Sequence, residues 1–400
     1  MKTKQLPTGW EEVELSKVIK LRGGYAFKSE KFVEQGIPII RISNFDNNNV
    51  NLSGVVYYSK EDSRTYNEFL LKENDILIAM SGATTGKIGV IIKENEPCLL
   101  NQRVGKFEII DKNIFFKYLL MFVKSSEFQK KVFNIASGCA QPNISGKQIE
   151  SIKIPLPPLP IQKQIVSILE KAEALKQRRE KADKLTKEYL KSVFAEMFGD
   201  PERNNKNWPK SSLKDVAEVV RESVTPEKIQ DNEKYIGLED IESESGRIIK
   251  INNISKGELK SNKFVFDSNF VLYGKLRPYL NKIVLPNFKG ICSTDVLPIR
   301  PLKNKSDRYY LAFLLRNRYY IQLATDRSVG ANLPRLSPKT LEYFEVPLPP
   351  LPLQQKFANI VEKVEKLKEK QKQSKEEINI MFDALMQKAF KGELVKDGKK

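Results

Sequence analysis

The sequence predicts an α+β protein built as a pseudo-two-fold repeat. Two β-rich globular domains are separated by two long helices, which pair within the chain as an antiparallel coiled coil. Three observations predict this. The hexapeptide PLPPLP occurs at 155–160 and again at 347–352, an offset of 192 residues. Each copy runs without a gap into a charged segment of helical pattern, IQKQIVSILEKAEALK after the first and LQQKFANIVEKVEKLK after the second. The segments before each copy are rich in short β-branched runs. The expected organisation is a first domain over 1–154, a joint and central helix over 155–200, a second domain over 201–346, and a joint and C-terminal helix over 347–400.

In chain order, the first domain opens on GWEEVELSKV at 9–18. This resembles NWPKSSLKDV at 207–216, with Trp10 opposite Trp208. Residues 37–42, 75–80 and 88–92 have strand composition, and one amphipathic helix is expected near 114–135. The segment QPNIS at 141–145 aligns with LPRLS at 333–337. The PLPPLP joint predicts a stiff polyproline-like strap with a helix starting just after it, because proline lacks the donor a helix interior needs. Along the central helix, Ile165, Ile168, Ala172, Leu175, Ala182 and Tyr189 alternate at spacings of three and four. Phe357, Ile360, Val364, Leu367, Ile378, Met381 and Leu385 do the same in the C-terminal helix. That is a narrow a/d seam, interrupted by Arg179, Gln371 and Ser374, and a charged helix with such a seam needs a partner. Gly199-Asp200-Pro201 stops the central helix, and the second ends near Gly392 and a lysine-rich tail. The second domain predicts strands at 248–251, 264–266, 270–273 and 283–285, and one helix near 306–324.

Composition narrows the function. The 400 residues include no histidine, which excludes Ser-His-Asp and Cys-His sites. The three cysteines, Cys98, Cys139 and Cys292, have neither metal-site nor disulfide-framework spacing and fit a reducing cytoplasm. No apolar run is long enough for a membrane span, and no leader is visible at the start. The net charge of +18 points to a polyanionic partner. Residues 1–160 carry 22 basic and 17 acidic residues and residues 201–352 carry 25 and 18, so the globular segments hold two thirds of the excess.

This duplicated series resembles the specificity subunit of type I restriction–modification systems. Further motifs carry the resemblance: NDILIAMSGATTGKIGV at 74–90, ASGCAQPNIS at 136–145, NFVLYGKLRPYLNKIV at 269–284, CSTDVLPIRP at 292–301 and GANLPRLS at 330–337. It covers nearly the whole chain. It implies two target-recognition domains, each reading one half of a split, asymmetric site on double-stranded DNA. It also implies a coiled coil that acts as a ruler and docks two methyltransferase subunits, joined by motor/nuclease subunits. S-adenosylmethionine, ATP and magnesium are then expected on those partners, and no cofactor, metal or catalytic residue on this chain.

The sequence agrees that chemistry lies elsewhere. SGATTGKIG at 81–89 has only three residues between Gly82 and Gly86, and Ile88 follows Lys87 where a P-loop needs Ser or Thr. The NPPY or DPPY motif of adenine methyltransferases is absent, and ELK at 258–260 is a chance-level match to a nuclease motif. Candidate DNA-binding residues are polar loop residues flanking the strands. In the first domain they are Arg22, Tyr25, Lys28, Arg41, Ser43, Asn44, Ser81, Thr84, Thr85, Lys87, Gln141 and Asn143. In the second they are Lys275, Arg277, Tyr279, Lys282, Asn332 and Arg335. Arg suits guanine, Asn and Gln suit adenine, and Lys more often fixes phosphate. Two other readings stay open: a nucleic-acid-binding repeat protein acting without enzyme partners, and a structural coiled-coil adaptor. The basic charge of the globular segments speaks against the second of these.

Overall fold

The computed structural model describes residues 6–46, 49–137 and 141–395. They form two compact units, one from 1–179 with 374–400 and one from 180–373. Both long helices are shared. The central helix, Leu159–Phe198, begins in the first unit and ends in the second, and the C-terminal helix, Leu351–Phe390, does the reverse.

The units repeat one plan. The first holds a four-stranded antiparallel sheet in the order Ile88–Val90, Ile76–Ala79, Val104–Ile109, Ile19–Gly23. The second has the same sheet from Ile283–Val284, Val271–Gly274, Val296–Pro301 and Ala217–Val219. The central strands Ile76–Ala79 and Val271–Gly274 are buried along their whole length, as expected of apolar runs with no polar alternation. Each unit adds a five-stranded sheet with one parallel pair, Ile37–Ile40 beside Cys98–Leu100 in the first and Glu233–Ile236 beside Gly290–Cys292 in the second. Four of the five strands correspond. The fifth lies on opposite edges: Phe32–Val33 extends one side in the first unit, and Ser223–Val224 the other side in the second.

Four expectations are corrected. Residues 248–251 form no strand. Ile249 and Ile251 are exposed, Ile248 only bridges Ile241, and pairing begins at Asn252–Ile254. Each domain carries two consecutive helices where one was expected, Phe116–Lys124 with Ser126–Ala136, and Arg308–Leu315 with Arg318–Asp326. The break falls at Ser125 and Asn317, whose side chains accept the Phe128 and Tyr319 backbone N–H groups and start a new helix.

The joints are not straps. Lys153–Leu156 pairs antiparallel with Glu11–Glu14, Glu345–Pro347 pairs with Lys210–Ser212, and the helices start inside the motif, at Leu159 and Leu351. A two-stranded ribbon leaves one edge free, so a missing proline donor is tolerated there, as it is in a helix's first turn. Each joint is held by the same two side chains. Gln162, fully buried, accepts the Phe115 N–H (2.7 Å) and donates to the Asn113 and Pro157 carbonyls (both 2.7 Å). Gln354, 192 residues on, accepts the Asp307 N–H (2.9 Å) and donates to the Pro349 carbonyl (2.7 Å) and the Lys305 carbonyl (3.3 Å). The Tyr118 and Tyr310 hydroxyls donate to the Pro155 and Pro347 carbonyls.

The seam is also narrower in the middle and wider at the ends than an a/d stripe. The helices pair antiparallel inside each unit: Ile165 and Leu169 share a core with Met386 and Phe390, and Phe194 and Phe198 share one with Phe357 and Val361. Leu175, Tyr189, Leu367 and Met381 are exposed, while Val166, Leu190 and Ala389 are buried. Among the described residues, none between Ala172 and Leu190 is buried, and between Val364 and Met386 only Gln371 is, its amide donating to the Thr186 hydroxyl (3.0 Å). At the ends each helix is covered by a domain as well as its partner, with Tyr118 against Phe390 and Tyr310 against Phe198.

Candidate nucleic-acid interface

A backbone frame at the end of each four-stranded sheet gathers most of the candidate residues. In the first unit the buried strand Ile76–Ala79 runs into a loop bent at Gly82 and Gly86, both of positive φ (+76° and +87°). Two further segments lock onto that loop. The Met80 N–H donates to the Arg103 carbonyl (2.9 Å), the Ile144 N–H to the Met80 carbonyl (2.9 Å), and the Gly82 N–H to the Pro142 carbonyl (3.0 Å). Ser81 pairs with Asn143 as an isolated bridge, and the Thr85 hydroxyl donates toward the Gly82 and Pro142 carbonyls. An open groove of about 750 Å³ lies between these segments, its polar lining including Ser81, Gln102, Arg103, Gln141 and Asn143.

The second unit repeats the frame bond for bond. The Lys275 N–H donates to the Asp295 carbonyl (2.9 Å), the Leu336 N–H to the Lys275 carbonyl (2.9 Å), and the Arg277 N–H to the Pro334 carbonyl (2.7 Å). Leu276 bridges Arg335. Asn143 and Arg335 therefore hold one structural position, as do Arg103 and Asp295. Beyond the frame the loops diverge. Arg277 and Asn281 adopt left-handed conformations, φ 51° and 49°, around the turn Pro278–Leu280, which leaves Tyr279 half exposed. The Arg277 guanidinium donates to the Asn332 carbonyl (3.2 Å).

The frame thus brings together Ser81, Thr84, Thr85 and Lys87 with Gln141 and Asn143, and Lys275, Arg277 and Tyr279 with Asn332 and Arg335. Tyr25 sits next to it, bridged to Asn101 and accepting the Gln102 N–H at its carbonyl (2.9 Å). Its ring joins an aromatic cluster with Phe27, Tyr66 and Phe69, and the bond to Tyr66 raises its hydroxyl above the usual tyrosine range. Other candidates are engaged elsewhere. Arg22 is ion-paired to Glu68 (3.0 Å) and Glu108 (3.3 Å). Asn44 is buried, accepting the Arg41 N–H and donating to the Asn51 carbonyl, so it holds the turn that presents Ser43. Arg41 Nε is buried and has no partner among the described residues. Lys282 donates to the Leu238 carbonyl (2.9 Å), and Lys28 is exposed before the turn Ser29–Lys31. Cys139, with Gly138 and Ala140 of the ASGCAQPNIS motif, lies outside the described residues. Sequence reasoning missed Gln102 and Arg103. Aligning 101–103 with 293–295 at the 192-residue offset would have flagged them, because the aligned pair Arg103/Asp295 reverses charge.

No helix among the described residues is long and apolar enough to cross a membrane. Burial pushes the Cys98 thiol up to about 12 and the Cys292 thiol also upward, so both are protonated and inert near neutral pH.

Comparison with known proteins gives a consistent result. The family model described as "Type I restriction modification DNA specificity domain" matches twice, over residues 7–186 and 205–379. The MjaVIII specificity subunit of Methanocaldococcus jannaschii is 32% identical over 197 residues, covering 46% of this chain and 45% of that protein. The EcoAI specificity subunit of Escherichia coli is 34% identical over 41% of this chain and 28% of its own length, so the chain spans less than half of either. The EcoDI specificity subunit of Escherichia coli is 22% identical over 98% of this chain and 90% of its own. The crystal structure of the S subunit of a type I restriction–modification system from M. genitalium covers 98% of both chains with a TM-score of 0.55 at 15% identity. A structure from work on assembly and conformational transition of the type I system reaches a TM-score of 0.63 at 17% identity, covering 98% of this chain and 100% of its own. At these identities the two structures speak to the fold.

Proposed function

The chain belongs to the type I restriction–modification DNA specificity family, whose members are sequence-recognition rather than catalytic subunits, and we propose that its two domains each read one half of a split, asymmetric target on duplex DNA. The observation that carries this is the duplicated frame. One backbone arrangement presents two unlike sets of side chains, SGATTGK with QPN in the first domain and LRPYLNK with NLPR in the second. A shared scaffold with different polar tips suits two readers of different sequences, and the basic excess of both domains suits a phosphate backbone. Equal tips would suit a symmetric site.

The subunit works with methylase and restriction subunits. Two methyltransferase subunits dock on the paired helices, and motor/nuclease subunits complete the complex. S-adenosylmethionine, ATP and magnesium belong to those partners, and the complex acts in the cytoplasm. Helix length fixes the spacing between half-sites.

The test is to co-express the chain with its methyltransferase subunit and map methylated adenines across the host genome. The expected motif has two specified halves around an unspecified spacer. A contiguous motif overturns the split-target reading. Methylation no greater than that of the methyltransferase alone favours a nucleic-acid-binding protein that acts without enzyme partners.

A further inference from the structure

We propose that Arg103 reads a base edge for the first domain, within the groove it shares with Ser81, Gln102, Gln141 and Asn143, and that in the second domain the aspartate at the same position instead orients Arg335 through an internal ion pair. The inference rests on the specificity reading above and names the residue that carries it in one half.

Among the side chains in which the two frames differ, one pair of positions exchanges charge. In the second domain Asp295 and Arg335 close on each other, Nε to Oδ1 at 3.0 Å and Nη2 to Oδ2 at 3.4 Å. That two-point bond takes up the Nε–Nη2 edge of the guanidinium and tethers Arg335 in one orientation, with Nη1 left free, among the described residues, on a side chain that is 44% exposed. In the first domain arginine stands where Asp295 stands, and asparagine where Arg335 stands. Arg103 is exposed, and among the described residues its side chain has no ion-pair or hydrogen-bond partner. The side chains of Gln102, Gln141 and Asn143 are likewise exposed and, among the described residues, without a partner. The base of the side chain is nevertheless fixed. The Arg103 carbonyl accepts the Met80 N–H, and the next residue, Val104, donates to the Asn101 carbonyl (2.9 Å). A free fork on a rigid mount is pre-organised for a ligand.

The groove also carries an unmet polar demand. Ser81 Oγ, like Thr84 Oγ1 in the same loop, is buried and has no hydrogen-bond partner among the described residues. The lining decides what that ligand is. It offers one guanidinium, three carboxamides and hydroxyls, and no lysine. Guanidinium and carboxamide are the groups that make paired bonds to guanine O6/N7 and adenine N6/N7 in the major groove. The ligand is therefore a purine edge in the first half-site. The second domain presents a tethered Arg335 in place of a free arginine, beside the diverged loop that carries Arg277 and Tyr279.

Three variants of the assembled methyltransferase complex test this: Arg103→Ala, Arg103→Lys and Asp295→Ala. Affinity is measured for the cognate duplex and for duplexes changed at single positions of each half-site. Arg103→Ala is expected to lose about tenfold discrimination at one position of the first half-site and to leave the second half-site unchanged. Arg103→Lys keeps the charge and the stem but not the fork, and is expected to lose the same discrimination. Because it is also the milder change, it carries the test if the alanine variant does not fold. Asp295→Ala removes the tether on Arg335 and is expected to alter preference in the second half-site only. The proposal is overturned if Arg103→Ala weakens all duplexes uniformly while Arg103→Lys restores them, which is the signature of a phosphate contact. It is equally overturned if both leave discrimination intact. A parent complex with no sequence preference would instead refute the specificity reading itself.

Discussion

At the residue scale the molecule depends on polar side chains that sequence patterning assigns to solvent. Gln162 and Gln354 lie in the matched segments PLPPLPIQKQ and PLPPLPLQQK, so their duplication was legible, but a glutamine in a helix's first turn ordinarily faces water. Burial of both at 0% exposure, each bonded to three backbone groups, makes them the clamps that fix a long helix to its domain. Removing one leaves buried donors and acceptors unmet. Gln162→Ala is expected to destabilise the first unit by about 3 kcal/mol, since several buried groups lose partners at once. The chain has two tryptophans. In a Trp208→Phe background, Trp10 alone therefore reports on the first unit, and its fluorescence during urea unfolding gives the midpoint. A midpoint equal to the parent's would show that the clamp adds nothing. The same limit applies at the interface. The sequence marks Arg22, Asn44 and Lys282 as available polar groups, and only the fold reveals the acids and carbonyls that hold them. It passes over Arg103 because a single arginine at a strand start carries no pattern of its own.

At the element scale the short helices show what periodicity reads and what it misses. Apolar spacing located the helical region after residue 114 and again after 306. It could not see that Ser125 and Asn317 are helix caps, since each stands three residues from buried apolar side chains on either side and leaves the apolar spacing unbroken. The long helices were legible in length and orientation, but not in which face is buried. The a/d rule assumes one partner, and each helix end has two. Each helix has 40 residues, about 60 Å at 1.5 Å per residue. One added heptad lengthens a helix by about 10 Å, or roughly three base pairs of duplex. A heptad inserted after Lys176, with a matching one in the C-terminal helix, lies in the stretch where burial is least. The expected result is a methylated motif with unchanged halves and a longer spacer, read by mapping methylated adenines. An active variant with the original spacing would show that the helices are not the ruler.

At the scale of the whole molecule the informative feature is imperfect duplication. The joints and helices repeat closely in sequence. The sheets repeat in topology while their sequences have diverged, which is why strands were legible as composition but not as a fold. The loops repeat only as a backbone frame. The fifth strand, placed on opposite edges in the two units, has no counterpart in the alignment and could not be foreseen from it. This gradient from shared scaffold to private loops is what independent recognition of two half-sites requires. The most direct measurement replaces residues 1–150 with the corresponding segment of an unrelated relative. The chimera is expressed with the same methyltransferase, and methylated adenines are mapped by long-read sequencing. One half of the motif should change while the other half and the spacer stay as they were. A change in both halves, or in neither, would contradict the claim that each domain reads its own half-site.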